Sequence, residues 1–409
     1  MEYRKSILFL RDIKAEKLHN KKVLVRVDFN VPIDKDLQVT DDTRIRAAAD
    51  TIKFLLASNC IVILMSHLGR PKGKIVDKLR LDSVAKKTGE ILKTKVLKLD
   101  DCIGKEVKET ISKSKPGDII LLENLRFHQE EEKNETGFAR ELASLADIYV
   151  NDAFGTAHRA HASTEGITEY LPSFAGFLME KEIKSLEKLT TYPDRPFVSI
   201  IGGAKVSGKI EILERLFEIC DVLLIGGGMA YTFLAAQGNE IGKSILEIDH
   251  VEFAKNLIDR AKKIDKEIIL PLDTVVADEF KENANSYNVS VNNIEKNMMG
   301  MDIGEKTVAL FKQKINNAKT IFWNGPLGVF EMVKFSNGTY QIAEQIASLG
   351  DDVFSVIGGG DSIAAINKIG LARGISHIST GGGASLEFLA GKILPGLEAL
   401  KRQKNQQIE

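Results

Sequence analysis

Arginine, histidine and an acid–amide pair stand directly after apolar runs in the first half of the chain. In RVDFNVP (26–32) Asp28 and Asn30 close such a run, and Arg44 follows in DDTRIRAA (41–48). His67 and Arg70 come after Cys60–Met65, Arg126 comes after Leu122, and NDAFGTAHRAHAS (151–163) carries His158, Arg159 and His161. Side chains at the ends of successive parallel strands converge although they are distant in sequence. A guanidinium fork grips carboxylate or phosphate oxygens in pairs. The set therefore suits a small acid bearing both groups, with Asp28 and Asn30 orienting a hydroxyl. Any one of these arginines is as readily a structural ion pair; five strand-end patches with only that purpose are harder to credit. A metal hydrolase built on Asp152, His158 and His161 lacks metal-ligand spacing and a water-activating base.

The second half offers backbone instead of side chains. Glycines cluster at Gly202-Gly203, Gly226–Gly228, Gly358–Gly360 and Gly381–Gly383, each after an apolar run. Glycine at a strand end lets N–H groups approach a phosphate or a base without a Cβ in the way. Two standard nucleotide motifs fail here. The dinucleotide fingerprint has Tyr231 where its third glycine belongs, and the phosphate-loop spacing over 203–209 is followed by Ile210 instead of Ser or Thr. Lys205 and Lys209, four apart near an expected helix start, can address one phosphate chain. Asp361 is placed to meet magnesium or to cap a helix, as Ser362 also is. Glu331 can accept from ribose hydroxyls.

The totals set limits. The 409 residues are 44% apolar, and 57 acidic against 56 basic side chains leave a net charge of -1. That balance disfavours a general nucleic-acid or membrane-surface coat. It also conceals an uneven distribution. Only 9 of 33 glycines precede residue 201, whereas 11 of 15 arginines and 5 of 7 histidines lie in the first 200 residues. Cys60, Cys102 and Cys220 are too few and too far apart for a disulfide framework. The apolar runs are too short to cross a bilayer, and the first residues do not read as a signal peptide. A cytoplasmic soluble protein is the plain expectation.

Elements that would position these residues alternate as strand and helix. Strands are predicted at 22–27, 60–65, 96–99, 118–122 and 147–150, then at 197–201, 222–225, 267–270, 320–323 and 353–357. Helical spacing of apolar residues covers 42–57, 81–92 and 136–145, then 210–219, 250–264, 308–318, 339–347 and 362–369. Nearly continuous apolar strands belong to parallel sheets, and a single barrel is open on the count alone. A helix over 178–189, ended by Pro193 and Pro196, favours two lobes joined there. The fold class is α/β: two Rossmann-like lobes, each a parallel sheet flanked by helices, joined by a hinge helix. The lobes span 1–177 and 196–392, with the hinge at 178–195.

These blocks, with LLENLRF (121–127), SIIGGAKVSGKI (199–210), LLIGGGMAYTFL (223–234), FWNGPLGVFE (322–331), VIGGGDS (356–362) and HISTGGGASLEFLAGKILPGLEAL (377–400), closely resemble the phosphoglycerate kinase family. The resemblance runs in family order from about residue 8 to residue 400. It implies reversible phosphoryl transfer between ATP and the carboxylate of 3-phosphoglycerate, in a monomer with magnesium as cofactor. It implies substrate contacts at Asp28, Asn30, Arg44, His67, Arg70, Arg126 and Arg159. Nucleotide contacts are implied at Lys205, Lys209, Asn324, Glu331, Gly358, Gly359, Gly360, Asp361 and Ser362, with Asp361 beside the metal. Catalysis is implied for Arg44, Lys205, Gly381, Gly382 and Gly383. It further implies that the segment 393–409 packs back on the first lobe. Leu327 replaces a methionine common in the family and keeps its apolar character. A dehydrogenase would need the absent glycine fingerprint; a noncatalytic anion- or nucleotide-binding module would show no turnover.

Overall fold

The computed structural model describes Tyr3 and residues 6–401. The chain divides into two compact units, Met1–Lys184 together with Ile393–Glu409, and Ser185–Lys392. The boundary falls within the helix Phe177–Thr191. No helix among the described residues is long and apolar enough to cross a membrane.

The first unit is built on strands β1 (Lys22–Arg26), β2 (Ile61–Met65), β3 (Val96–Lys98), β4 (Ile119–Leu121), β5 (Ile148–Asn151) and β6 (Ser173–Ala175). They form one parallel sheet in the order β3-β4-β2-β1-β5-β6. Its central strand β2 is apolar throughout because both faces are covered. Alternate residues of a strand point to opposite faces. Val62 and Leu64 accordingly join a core with Val23, Val25 and Ile52, while Ile61, Ile63 and Met65 join a second with Leu24, Phe138 and Leu142.

The second unit contains β7 (Phe197–Ile201), β8 (Val222–Ile225), β9 (Glu267–Ile269), β10 (Asp273–Ala277), β11 (Ser286–Ser290), β12 (Met299–Ile303), β13 (Thr320–Asn324), β14 (Phe354–Gly358) and β15 (His377–Ile378). Six of them make a parallel sheet, β15-β14-β13-β7-β8-β9. The expected pair of parallel sheets is present, and neither closes into a barrel. A separate antiparallel sheet, β11-β10-β12, lies outside that expectation. Helix Ile210–Ile219 buries Ile212, Leu213, Leu216 and Phe217, the one-sided stripe its spacing predicts.

Candidate active site

In the first sheet, chain order runs outward from β1 to β2 on one side and to β5 on the other, so the loops leaving β1, β2, β4 and β5 open a crevice at their carboxyl ends. Asp28, just past β1, pairs with Arg44 in the first turn of helix Thr43–Ala57. Oδ1 of Asn30 accepts from the Gly69 N–H at 2.9 Å and ties the loop after β1 to that after β2. Arg70 is exposed beside it, and the half-buried Arg159 places Nε 3.3 Å from Nε2 of His158.

Arg126 is buried. Its Nη1 donates to the Gly69 carbonyl at 2.8 Å and its Nε lies 3.2 Å from Glu132, but its buried Nη2 has no acceptor among the described residues. Burial, reinforced by the Arg159 charge, holds its pKa down to about 10. A buried cationic donor without a partner is costly, and an incoming anion removes that cost.

His67 is fully enclosed. Burial first, then the charges of Arg26, Arg126, Arg159 and Arg44, hold its pKa well below the ordinary imidazole value. Four guanidiniums thus bear on one imidazole. Nη2 of Arg26 lies 3.2 Å from Nδ1 of His67. A guanidinium only donates, so Nδ1 accepts and Nε2 carries the ring proton. Arg26 was missed in the sequence, although a charge inside an apolar strand is itself a signal. Its Nε donates to Oγ of Ser163 at 2.8 Å, and that hydroxyl donates to the buried Glu131 at 2.5 Å.

The alternative Asp152–His158–His161 metal set does not form. The buried Asp152 accepts from the Met179 N–H at 3.1 Å, and burial raises its pKa to about 6. Among the described residues, Asp101, Cys102 and His128 do stand at metal-ligand distances. Asp101 and His128 already pair at 2.7 Å, and burial pushes the Cys102 thiol well up, which keeps it protonated. We read this group as packing and hydrogen bonding.

In the second unit the corresponding crevice lies between β13 and β7. Asn324 ends β13 in register with Ile201 and Gly358. Its carbonyl accepts from the Gly202 N–H at 2.9 Å. Both lysines precede the helix predicted over 210–219. The helix starts at Ile210 with Lys209 at its cap, and residues 203–209 form an irregular turn because Gly203 takes φ +96°. Nζ of Lys209 folds back onto the carbonyls of Gly202 and Asn324 at 2.7 and 3.1 Å, and burial lowers its pKa to about 8. Lys205 is exposed.

The glycine clusters also separate by purpose. A Cβ on Gly202 would meet the Pro326 carbonyl oxygen at 2.2 Å, so this glycine permits backbone to pass backbone inside the fold. Around Gly360, Gly382 and Gly383 a Cβ would meet nothing within 4 Å. Those positions are open to a ligand. Gly381 is buried, its N–H donating to Oγ of Ser379 at 3.3 Å.

Neither Asp361 nor Ser362 caps a helix. Gly359, at φ +93°, is the cap of helix Gly360–Lys368, and the Ser362 hydroxyl is buried, accepting from the Gly325 N–H at 2.7 Å. The hydroxyl accepts there and keeps its own hydrogen. Asp361 is exposed and lines a cavity of about 260 Å³, together with Gly203, Gly228, Pro326 and Glu331. The same cavity reaches Asp302, a carboxyl the sequence did not single out. Its oxygens accept from the N–H groups of Gly338 and Ile303 at 2.8 and 2.9 Å, and burial raises its pKa to about 7.

The family model for phosphoglycerate kinase matches residues 11–392. The phosphoglycerate kinase of Moorella thermoacetica is 55% identical over 393 residues, 96% of this chain and 98% of its own length. That of Dictyoglomus turgidum is 55% identical over 398 residues, covering 97% and 99%. The solved structure of phosphoglycerate kinase from Coxiella burnetii superposes with a TM-score of 0.86 at 39% identity, covering 97% of this chain and 99% of that one. With two parallel sheets, convergent arginines on one and glycine-rich strand ends on the other, the chain belongs to the phosphoglycerate kinase family.

Proposed function

We propose that the two sets of strand-end loops share one reaction, the reversible transfer of a phosphoryl group between ATP and the carboxylate of 3-phosphoglycerate, giving ADP and 1,3-bisphosphoglycerate. The observation that carries the acid half is the buried, partnerless Nη2 of Arg126 among guanidiniums that converge on a neutral His67. Arg70, Arg126, Arg159 and the Nε2–H of His67 hold the acid's phosphate and carboxylate, with Asp28 and Asn30 at its hydroxyl. The nucleotide lies in the cavity bounded by Gly203, Gly228 and Glu331, its phosphates on Lys209, Asn324 and the helix start at Gly358, Gly359, Gly360 and Ser362.

A carboxylate with a pKa of roughly 4 is already ionised near neutral pH. It attacks without a general base, so this chain's task is alignment and charge neutralisation. Arg44 and Lys205 neutralise the moving phosphoryl oxygens, and the backbone from Gly381 to Gly383, open at Gly382 and Gly383, assists. The donor set fits magnesium: Asp361 offers a hard, water-exposed carboxylate at the cavity wall. Magnesium there supplies charge neutralisation of the nucleotide phosphates.

Residues 1–177 with the tail from 393 form the acid lobe, 196–392 the nucleotide lobe, and 178–195 the hinge; residues 402–409 of the tail lie outside the described residues. The three cysteines are buried and unpaired, which suits a reducing cytoplasm, and we take the working form to be a monomer. A coupled assay for ADP production from ATP and 3-phosphoglycerate tests the reaction. Binding of either ligand without ADP would leave only an inactive module of the same fold.

A further inference from the structure

The turn between β7 and the helix Ile210–Ile219 is held by a residue that the reaction does not use. The carboxylate of Glu247 accepts from two consecutive backbone N–H groups, those of Val206 and Ser207, the latter at 3.0 Å. Its second oxygen accepts from the Ser207 hydroxyl at 2.5 Å. Successive N–H groups in a turn make an anion-binding concavity, and here a side chain of the protein fills it. Glu247 is itself anchored, its backbone N–H donating to Oγ1 of the buried Thr232 at 3.2 Å. The helix Ala230–Ala236, which contains Thr232, thus fixes the turn through one glutamate.

We propose that Glu247 is a positioning residue for phosphoryl transfer, acting through Lys205. Of the two lysines on this turn, Lys209 has its own anchors in the carbonyls of Gly202 and Asn324. Lys205 is exposed, and its backbone directly precedes the pair of N–H groups that Glu247 holds. With Glu247 accepting from both N–H groups, the turn presents a phosphate with the Lys205 ammonium instead of these backbone donors. This inference rests on the assignment of Lys205 to the moving phosphoryl group.

The test is a double-mutant cycle with Glu247→Ala and Lys205→Ala, read as kcat and KM for each substrate, with thermal unfolding alongside. Glu247→Ala should lower kcat by roughly 10- to 100-fold, as expected of a displaced catalytic group, and leave KM for 3-phosphoglycerate unchanged. In the Lys205→Ala background the same change should cost nothing further. Glu247→Asp, which keeps the charge, should recover part of the loss. If Glu247→Ala does not fold, Ser207→Ala removes one donor and enters the same cycle with a smaller expected loss. Near-normal kcat for Lys205→Ala alone overturns the role of Lys205 and this inference with it. A slow Lys205→Ala beside an unaffected Glu247→Ala, or equal Glu247 effects in both backgrounds, overturns this inference alone.

Discussion

Arg26 and His67 form a buried pair in which the cation donates to the ring, with Nη2 3.2 Å from Nδ1. The imidazole is thereby fixed as a neutral donor through Nε2. Nuclear magnetic resonance of the ring should find His67 uncharged throughout pH 5–8. The unfolded chain binds a proton at this residue as pH falls below about 6.5, and the folded chain does so only at lower pH. His67 therefore makes stability fall with acid, and His67→Gln should remove its share of that slope in urea unfolding at pH 5 against pH 7. Arg26→Met, which removes the donor to the Ser163 hydroxyl and to the Val27 carbonyl, should cost roughly 1–3 kcal/mol.

Arg126 sets binding against stability. Its buried Nη2 has no acceptor among the described residues. Arg126→Met should raise KM for 3-phosphoglycerate by roughly 10- to 100-fold, the worth of a charged hydrogen bond of about 1.5–3 kcal/mol. The melting temperature of the free protein should stay level or rise. The rise in melting temperature that 3-phosphoglycerate gives the parent should shrink in the variant.

Asp302 gives a prediction of the opposite pH sign to His67. With its pKa raised to about 7 by burial, the folded protein keeps a proton that the unfolded chain has released above about pH 4. Its presence makes stability fall as pH rises from about 4 to 7. Asp302→Asn removes that ionisation while preserving an acceptor for the Gly338 N–H. Measured by urea unfolding, the variant should gain on the parent steadily across that window, and parallel curves would refute the raised pKa.

Two glycine substitutions should part company. Gly202→Ala forces a Cβ to within 2.2 Å of the Pro326 oxygen and should lower the melting temperature sharply or prevent folding. Gly383→Ala meets nothing within 4 Å and should fold normally. Its kcat should fall if the transferring phosphate passes there. Circular dichroism and the coupled assay separate the two outcomes.

The sheet positions were legible because buried parallel strands are apolar on both faces, as Val62 through Leu64 show. The antiparallel strands β10–β12 escaped notice for the converse reason. Ser286–Ser290 is half exposed and polar, and β10 carries Asp273, whose oxygens accept from Thr307 and Asn288 instead of marking a loop. Residue type singled out Arg126 and Asp361 but did not reveal that the Ser362 hydroxyl accepts from the Gly325 N–H. Nor did spacing show that Lys209 folds onto strand-end carbonyls. Such commitments depend on which backbone groups remain unpaired after folding, and a sequence does not display them. Glu247 lies 40 residues from its turn partner Ser207 and carries no local motif.

The helix Pro395–Lys401 packs within the first unit. The Gly396 N–H donates to the Ala157 carbonyl at 2.9 Å, Leu397 and Leu400 are buried, and Lys401 sits 4.1 Å above the Tyr3 ring. During synthesis the ribosome thus releases the contiguous Ser185–Lys392 unit before the N-terminal one receives its last helix. The portion begun first is the portion finished last. A frameshift after residue 392 would spare the whole Ser185–Lys392 unit, yet it would unseat Ala157, two positions before Arg159.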